Sequence, residues 1–359
     1  MKPDKIQTNN RNIGLDALRI ISMIMVLTLH YLGKGGLLDR NNTSEIYNII
    51  YLLLETLSIV AVNCFILISG YFLCKSEFKL KKFLKLWGEV IFYSIIIYVI
   101  FVIIGIEKIS ISNLVRIIFP VITNQYWFVT SYLMLYLISP FLNKLINALN
   151  REEYKKLLII ILIPFCLLSI LPTEMSLDKT GGYGIIWFVC LYFVAAYIRN
   201  YKTKFTKTRN YFLLYIAFSV VILVAIIGIQ QICQILNISD KSEKMTAYNN
   251  PIVFLSSVSL FLTFLNLKVH DGILQKVIKF VAPLTFAVYI IHEHFAVNKV
   301  LYTNILHVEQ CYNNNLGILM CIVSIFSVFL VCIAIEALRR LLFDCVEKLW
   351  KKQKKQFNT

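Results

Sequence analysis

Apolar residues run through this chain in blocks of roughly 16–25, separated by short polar, mostly basic segments. Blocks of that length are what a helix needs to cross a bilayer. The pattern predicts ten helices: Ile13–Leu32, Ile49–Cys74, Trp87–Ile106, Tyr126–Ile146, Leu157–Pro172, Gly184–Ile198, Tyr211–Leu236, Pro251–Leu267, Val277–Val297 and Leu316–Leu338. The fifth and sixth are the shortest. Residues 1–12 form a polar N-terminal segment, 13–338 a single membrane domain and 339–359 a basic tail. The predicted fold is therefore all-α and polytopic.

Composition agrees. The chain is 58% hydrophobic and 16% charged, with a mean hydropathy of +0.71, whereas soluble domains average ~45–50% apolar and ~25% charged. The net charge of +16 would suit nucleic acid if it formed one basic face. Instead the cations sit in short loops, so no nucleic-acid partner is expected. With the N-terminus placed in the cytoplasm, 27 of the 36 Lys and Arg fall on the inner side and 8 on the outer. That asymmetry sets the expected orientation, with both termini inside. Six of the nine cysteines (Cys64, Cys166, Cys190, Cys233, Cys321 and Cys332) lie within spans and Cys311 in an outer loop, so no disulfide framework is implied. The first apolar block is too long for a cleavable signal and contains Arg19. Asn113–Thr123, broken by Arg116 and Pro120, reads as an outer interfacial segment. Arg339–Lys355 reads as an interfacial helix on anionic lipid.

Two charged positions interrupt the first helix. Arg19 and His30 are eleven residues apart, three turns plus roughly 20°, so they share a face about 16 Å apart along the axis. A guanidinium within a span costs at least ~2.5–3.5 kcal/mol, which makes an intramembrane ionisable group a candidate for function. Imidazole titrates near neutrality, so His30 is a candidate base. Glu55 enters at similar depth from the second helix and could orient the imidazole, or pair instead with Lys34 or Arg116. Arg19 could pair with Asp16 three residues earlier, or present its fork of donors to phosphate. Ser69-Gly70 permits close approach of a helix or a ligand. Lys75, Lys79, Lys81, Lys82 and Lys85 follow on the same side as Arg19. Tyr289-Ile-Ile-His-Glu-His294 puts three ionisable residues in the ninth helix. Adjacent His-Glu-His lacks the i, i+4 spacing of a helical metal site, so no metal is expected, and His292 is the second candidate active-site group. Tyr126-Trp127 reads as an interfacial pair or a stacking surface for a sugar.

Together these segments resemble the acyltransferase-3 family, bacterial inner-membrane proteins that O-acylate surface glycans. Leu15-Asp16-Ala17-Leu18-Arg19 followed by His30 is similar to the family's first helix. Asn63, Phe65, Ser69, Gly70 and Tyr71 match its second-helix pattern. Lys82-Phe-Leu-Lys85 stands where the family carries Arg-x-x-Arg. Trp127-Phe128, Trp187-Phe188 and Tyr289-x-x-His292 fit later motifs. The resemblance implies acetyl-CoA as donor, bound from the cytoplasm by Arg19, Lys82 and Lys85, with its pantetheine arm passing Ser69 and Tyr71. It places His30 and His292 at the catalytic end, where Glu55 or another acid would orient the imidazole, and the residues themselves add Tyr126, Trp127 and Tyr289 as candidates for the acceptor side. Trp127–Asn143 looks like members that act on capsule or exopolysaccharide, so a glycan or lipid-linked glycan is the expected partner, within membrane lipid. A transporter or flippase for a lipid-linked glycan is the competing expectation.

Overall fold

A computed structural model describes residues 11–171, 176–201 and 207–357, with side chains through residue 349. The order of helices is α1 (Ile13–Lys34), α2 (Glu45–Ser58), α3 (Ala61–Leu73), α4 (Leu80–Ile103), α5 (Ile111–Ile118), α6 (Trp127–Ala148), α7 (Arg151–Phe165), α8 (Ile185–Tyr201), α9 (Thr208–Ile235), α10 (Pro251–Leu265), α11 (Ile273–Val281), α12 (Thr285–His292), α13 (Phe295–Val300) and α14 (Gly317–Phe357). No strand occurs among the described residues. Eight helical stretches are long and apolar enough to cross a membrane, and the chain is a multi-pass membrane protein.

Eight rather than ten reflects the two short blocks. α7 has 15 residues and α8 has 17, about 22 and 26 Å at 1.5 Å per residue, against a hydrocarbon core of ~30 Å. The far end of the fifth block, Pro172, lies outside the described residues. α8 is short but central. Trp187, Phe188, Leu191, Tyr192, Ala195 and Ala196 are all fully buried, so this helix meets other helices more than lipid. It lies close against α3 because Gly70 has no side chain. A Cβ there would come within 3.0 Å of both Ala195 Cβ and Tyr192 Cα, the small-residue packing that membrane helices use.

Two of the expected spans are interrupted. The second breaks at Ile59-Val60 between α2 and α3. The ninth breaks at Ala282–Leu284, a 3-10 turn between α11 and α12, and again after His292. Pro283 supplies the first of these breaks, because its ring displaces the preceding carbonyl and offers no N–H. The tail does not form a separate helix. It continues α14 without interruption to Phe357. α5 has one apolar face, with Ile111, Leu114, Val115 and Ile118 exposed, and its Arg116 guanidinium lies 4.5 Å over the Phe295 ring.

Two apolar clusters make the interior. One gathers α3, α8, α9 and α10; the other gathers α1, α4, α12 and α14. Asn63 anchors the first from within. Its Nδ2 donates to the Tyr248 carbonyl at 2.8 Å and to Ser257 Oγ at 3.1 Å, and its Oδ1 accepts from Trp187 Nε1 at 3.0 Å. Asn63→Ala would leave the Tyr248 carbonyl and Trp187 Nε1 without these buried partners, while Ser257 Oγ keeps its bond to the Val253 carbonyl. We expect a loss of roughly 1–3 kcal/mol, measured as a lower unfolding midpoint in detergent. An unchanged midpoint would show that the hub is not structural.

Candidate active site

Between the two clusters lies a cavity of about 330 Å³, within the range of small-molecule sites, ~300–1,000 Å³. α1 supplies one wall through Arg19, Met23, Val26 and His30, whose spacing of four, three and four residues is one helix face. Val62, Phe65 and Ser69 of α3 follow the same rule. Lys82 and Leu86 come from α4, Trp127, Phe128 and Tyr132 from α6, Tyr248 from the turn before α10, and Pro283, Phe286 and Tyr289 from the broken segment. The break at Pro283 thus sits on the cavity wall.

Arg19 is held by Asp16, whose Oδ1 accepts from Arg19 Nη1 at 3.1 Å. Asp16 also receives Arg11. The pairing with Asp16 and the position on the cavity are therefore both realised, with about a third of the Arg19 side chain still exposed. Lys82 lies on the same cavity, its ammonium 5.5 Å over the Tyr136 ring.

His30 sits in a compact polar cluster. Its Nδ1 is 2.9 Å from His292 Nε2 and 3.0 Å from Glu293 Oε2. His292 is fully buried, and its Nδ1 is 2.5 Å from the Val288 carbonyl oxygen. These contacts assign the protons. A carbonyl only accepts, so His292 Nδ1 donates to Val288 and Nε2 keeps its lone pair. His30 Nδ1 then donates, shared between His292 Nε2 and Glu293 Oε2. His30 Nε2 is left with the free lone pair. When His30 takes up a proton there, Glu293 faces the resulting imidazolium. Glu293 is itself gripped by Lys34, whose Nζ donates to both carboxylate oxygens at 2.6 Å and to Asn298 Oδ1 at 3.1 Å.

The carboxylate expected at His30 was Glu55; the structure puts Glu293 there instead. Among the described residues, Glu55 makes no hydrogen bond to His30 and does not line the cavity. Its two proposed cationic partners are engaged elsewhere, Lys34 on Glu293 and Arg116 on Phe295. Within a continuous helix, neighbouring residues point about 100° apart, so His292 and Glu293 would not both be expected at one atom. Both nonetheless reach His30 Nδ1, Glu293 from the C-cap of α12, where its backbone is still helical and its N–H donates to the Tyr289 carbonyl. The third member of the triplet, His294, caps α13 by accepting from the Ala296 N–H at 3.2 Å and lies 3.2 Å from the Ser94 carbonyl through Nε2.

Of the other expected residues, Ser69, Lys82, Trp127 and Tyr289 meet Arg19 and His30 on the cavity. Tyr71, Lys85 and Tyr126 are not on its wall. The Tyr71 hydroxyl accepts from Arg199 Nη1 at 2.8 Å, and the buried Tyr126 ring packs against Tyr289 with centroids 6.1 Å apart. Sequence reasoning passed over Tyr248 and Glu293. Only the clustering of ionisable residues at 292–294 could have signalled the latter.

His30, His292 and Glu293 also form a group that could hold a metal ion, with ligand atoms within 4.8 Å of one another. Spacing within one helix does not describe this trio, because one member comes from α1. Lys34 already occupies both Glu293 oxygens, so a cation would have to displace an ammonium.

A family model described as an acyltransferase domain matches residues 12–337. No curated protein and no solved structure matches the chain. The matched stretch holds every residue of the cavity and nearly the whole chain, and the protein belongs to the acyltransferase-3 family.

Proposed function

We propose that this membrane acyltransferase moves an acetyl group from cytoplasmic acetyl-CoA to a hydroxyl of a surface or capsular polysaccharide, or of its lipid-linked precursor, in the bacterial inner membrane. One observation carries the reading: a single cavity joins Arg19 and Lys82 to His30. The two ends are about 16 Å apart along α1, too far for one small substrate and suited to a long one. The donor's phosphates would meet Arg19 and Lys82, and its pantetheine arm would run past Ser69 toward His30. Lys82 binds phosphate as a point charge, whereas the Arg19 fork can do so bidentately.

A sugar hydroxyl is almost wholly protonated at neutral pH and attacks poorly. His30 Nε2 would remove its proton as the oxygen attacks the thioester carbonyl. A new C–O bond forms, the C–S bond breaks, and the proton passes from the imidazolium to the departing thiolate. General-base assistance of this kind is worth typically ~10²–10⁴ in rate. Glu293 would hold the ring in the productive tautomer and stabilise the imidazolium. Lys34 would keep Glu293 in place. A covalent acetyl-His30 intermediate is the alternative route.

Four measurements test this. His30→Ala should lower acetyl transfer by roughly 10²–10⁴ in protein that still inserts and folds; wild-type transfer would remove the base. Glu293→Gln should lower transfer more than Glu55→Gln does, and the reverse order would return the orienting role to Glu55. Arg19→Ala should raise the KM for acetyl-CoA, while unchanged donor kinetics would confine Arg19 to its pair with Asp16. Purified wild type that never consumes acetyl-CoA with a glycan acceptor would favour transport of the glycan.

A further inference from the structure

A second cavity of about 330 Å³ lies beside the first, and the two share an aromatic wall. The loop at 176–184, the turn of residues 242–246 and Asn249 enclose it. Tyr183 lines this outer pocket, while Trp127 and Tyr248 line the reaction cavity. The Tyr183 ring centroid is 4.6 Å from that of Trp127 and 4.6 Å from that of Tyr248. Tyr183 is 51% exposed, so one part of it packs on the reaction cavity's wall and the rest is open.

The pocket is built in advance. Asp178 accepts from the Thr180 N–H and Oγ1 with one oxygen, and from the Gly182 N–H and Asn249 Nδ2 with the other. Gly181 and Gly182 both have positive φ, and a Cβ on Gly182 would come within 2.9 Å of the Asn249 nitrogen. The loop can therefore approach Tyr248 and Asn249 only with glycine there. Asn249 is fully buried and its Oδ1 has no hydrogen-bond partner. A buried acceptor left unpaired is costly unless something supplies it with a donor.

Hydroxyl-sized polar groups on one side and an open aromatic face on the other suit a carbohydrate. Its hydroxyls would bond to groups such as Asn249 Oδ1 and Thr180 Oγ1, and the apolar face of its ring would stack on Tyr183. We infer that this pocket holds a glycosyl unit of the acceptor, next to the unit whose hydroxyl reaches His30. The acceptor crosses the Tyr183–Trp127–Tyr248 wall between the two. This inference rests on the glycan acyl-transfer reading above, and it adds the acceptor subsite to it.

The test uses purified full-length protein in nanodiscs, with acetyl-CoA and surface polysaccharide from the producing cells freed of its esters by mild alkali. Tyr183→Ala should raise the acceptor KM by roughly tenfold or more and leave the donor KM unchanged. Tyr183→Phe, which keeps the stacking face, should restore it. A second arm does not depend on a core substitution. Lys179 is exposed on the pocket, and Cys345 is the exposed cysteine among the described residues. Lys179→Cys on a Cys345→Ser background should lose transfer to polysaccharide when a bulky maleimide is attached, measured against the same variant before labelling. Wild-type acceptor kinetics in both Tyr183→Ala and the labelled protein would overturn the subsite alone. A wild type that transfers no acetyl would instead overturn the acyl-transfer reading, and the subsite with it.

Discussion

Charge inside an apolar bundle is the constraint on which this structure turns. An ionisable group in such surroundings is tolerated only with a partner and satisfied hydrogen bonds. α1 carries two such groups on one face, and each is provided for differently. Arg19 is paired locally, by Asp16 on its own helix. His30 is paired from a distance, by His292 and Glu293, and Glu293 is in turn neutralised by Lys34, again from α1. The second arrangement ties the first helix to a segment more than 250 residues later. It also leaves one imidazole nitrogen unspent.

The stretch of residues 277–297 brings both His292 and Glu293 to one atom of His30. Pro283 and the end of α12 divide that stretch into short pieces, and the first break places Ala282, Pro283 and Thr285 on the cavity wall. The apolar clusters on either side are closely packed, so the opening between them is set by these breaks and by the stripe of α1. Asn63 illustrates the division of labour in the second-helix motif. It matches the family pattern, yet its hydrogen bonds go to Trp187, Tyr248 and Ser257, and it positions the Tyr248 wall rather than meeting the cavity itself.

Much of the fold was legible because lipid imposes a simple length rule on apolar blocks. The rule failed where helices are buried by protein: α8, too short by length alone, is among the most buried elements. On the site, the Arg19–His30 stripe could be read from helical period, since both ends lie on one element. Ser69, Lys82, Trp127 and His292 were legible as residue types placed at the right ends of spans. The carboxylate partner was not. Depth alone favoured Glu55, but depth says nothing about which face of α2 meets α1, and Glu293 comes into range through the packing of α1 against α12, which periodicity does not show. Tyr183 and Asn249 were invisible for a similar reason, because a loop held by Asp178 and two glycines brings them together.

In the proposed reaction the cation end of the cavity, with Arg19 and Lys82, grips the donor's phosphates and the imidazole end, with His30, does the chemistry. Comparing acetyl-CoA with acetyl-pantetheine, which lacks the nucleotide and its phosphates, separates the ends in one double-substitution cycle. The account predicts that Arg19→Ala impairs transfer from acetyl-CoA yet makes no difference with acetyl-pantetheine, while His30→Ala abolishes both. An equal loss with the two donors in Arg19→Ala would contradict it.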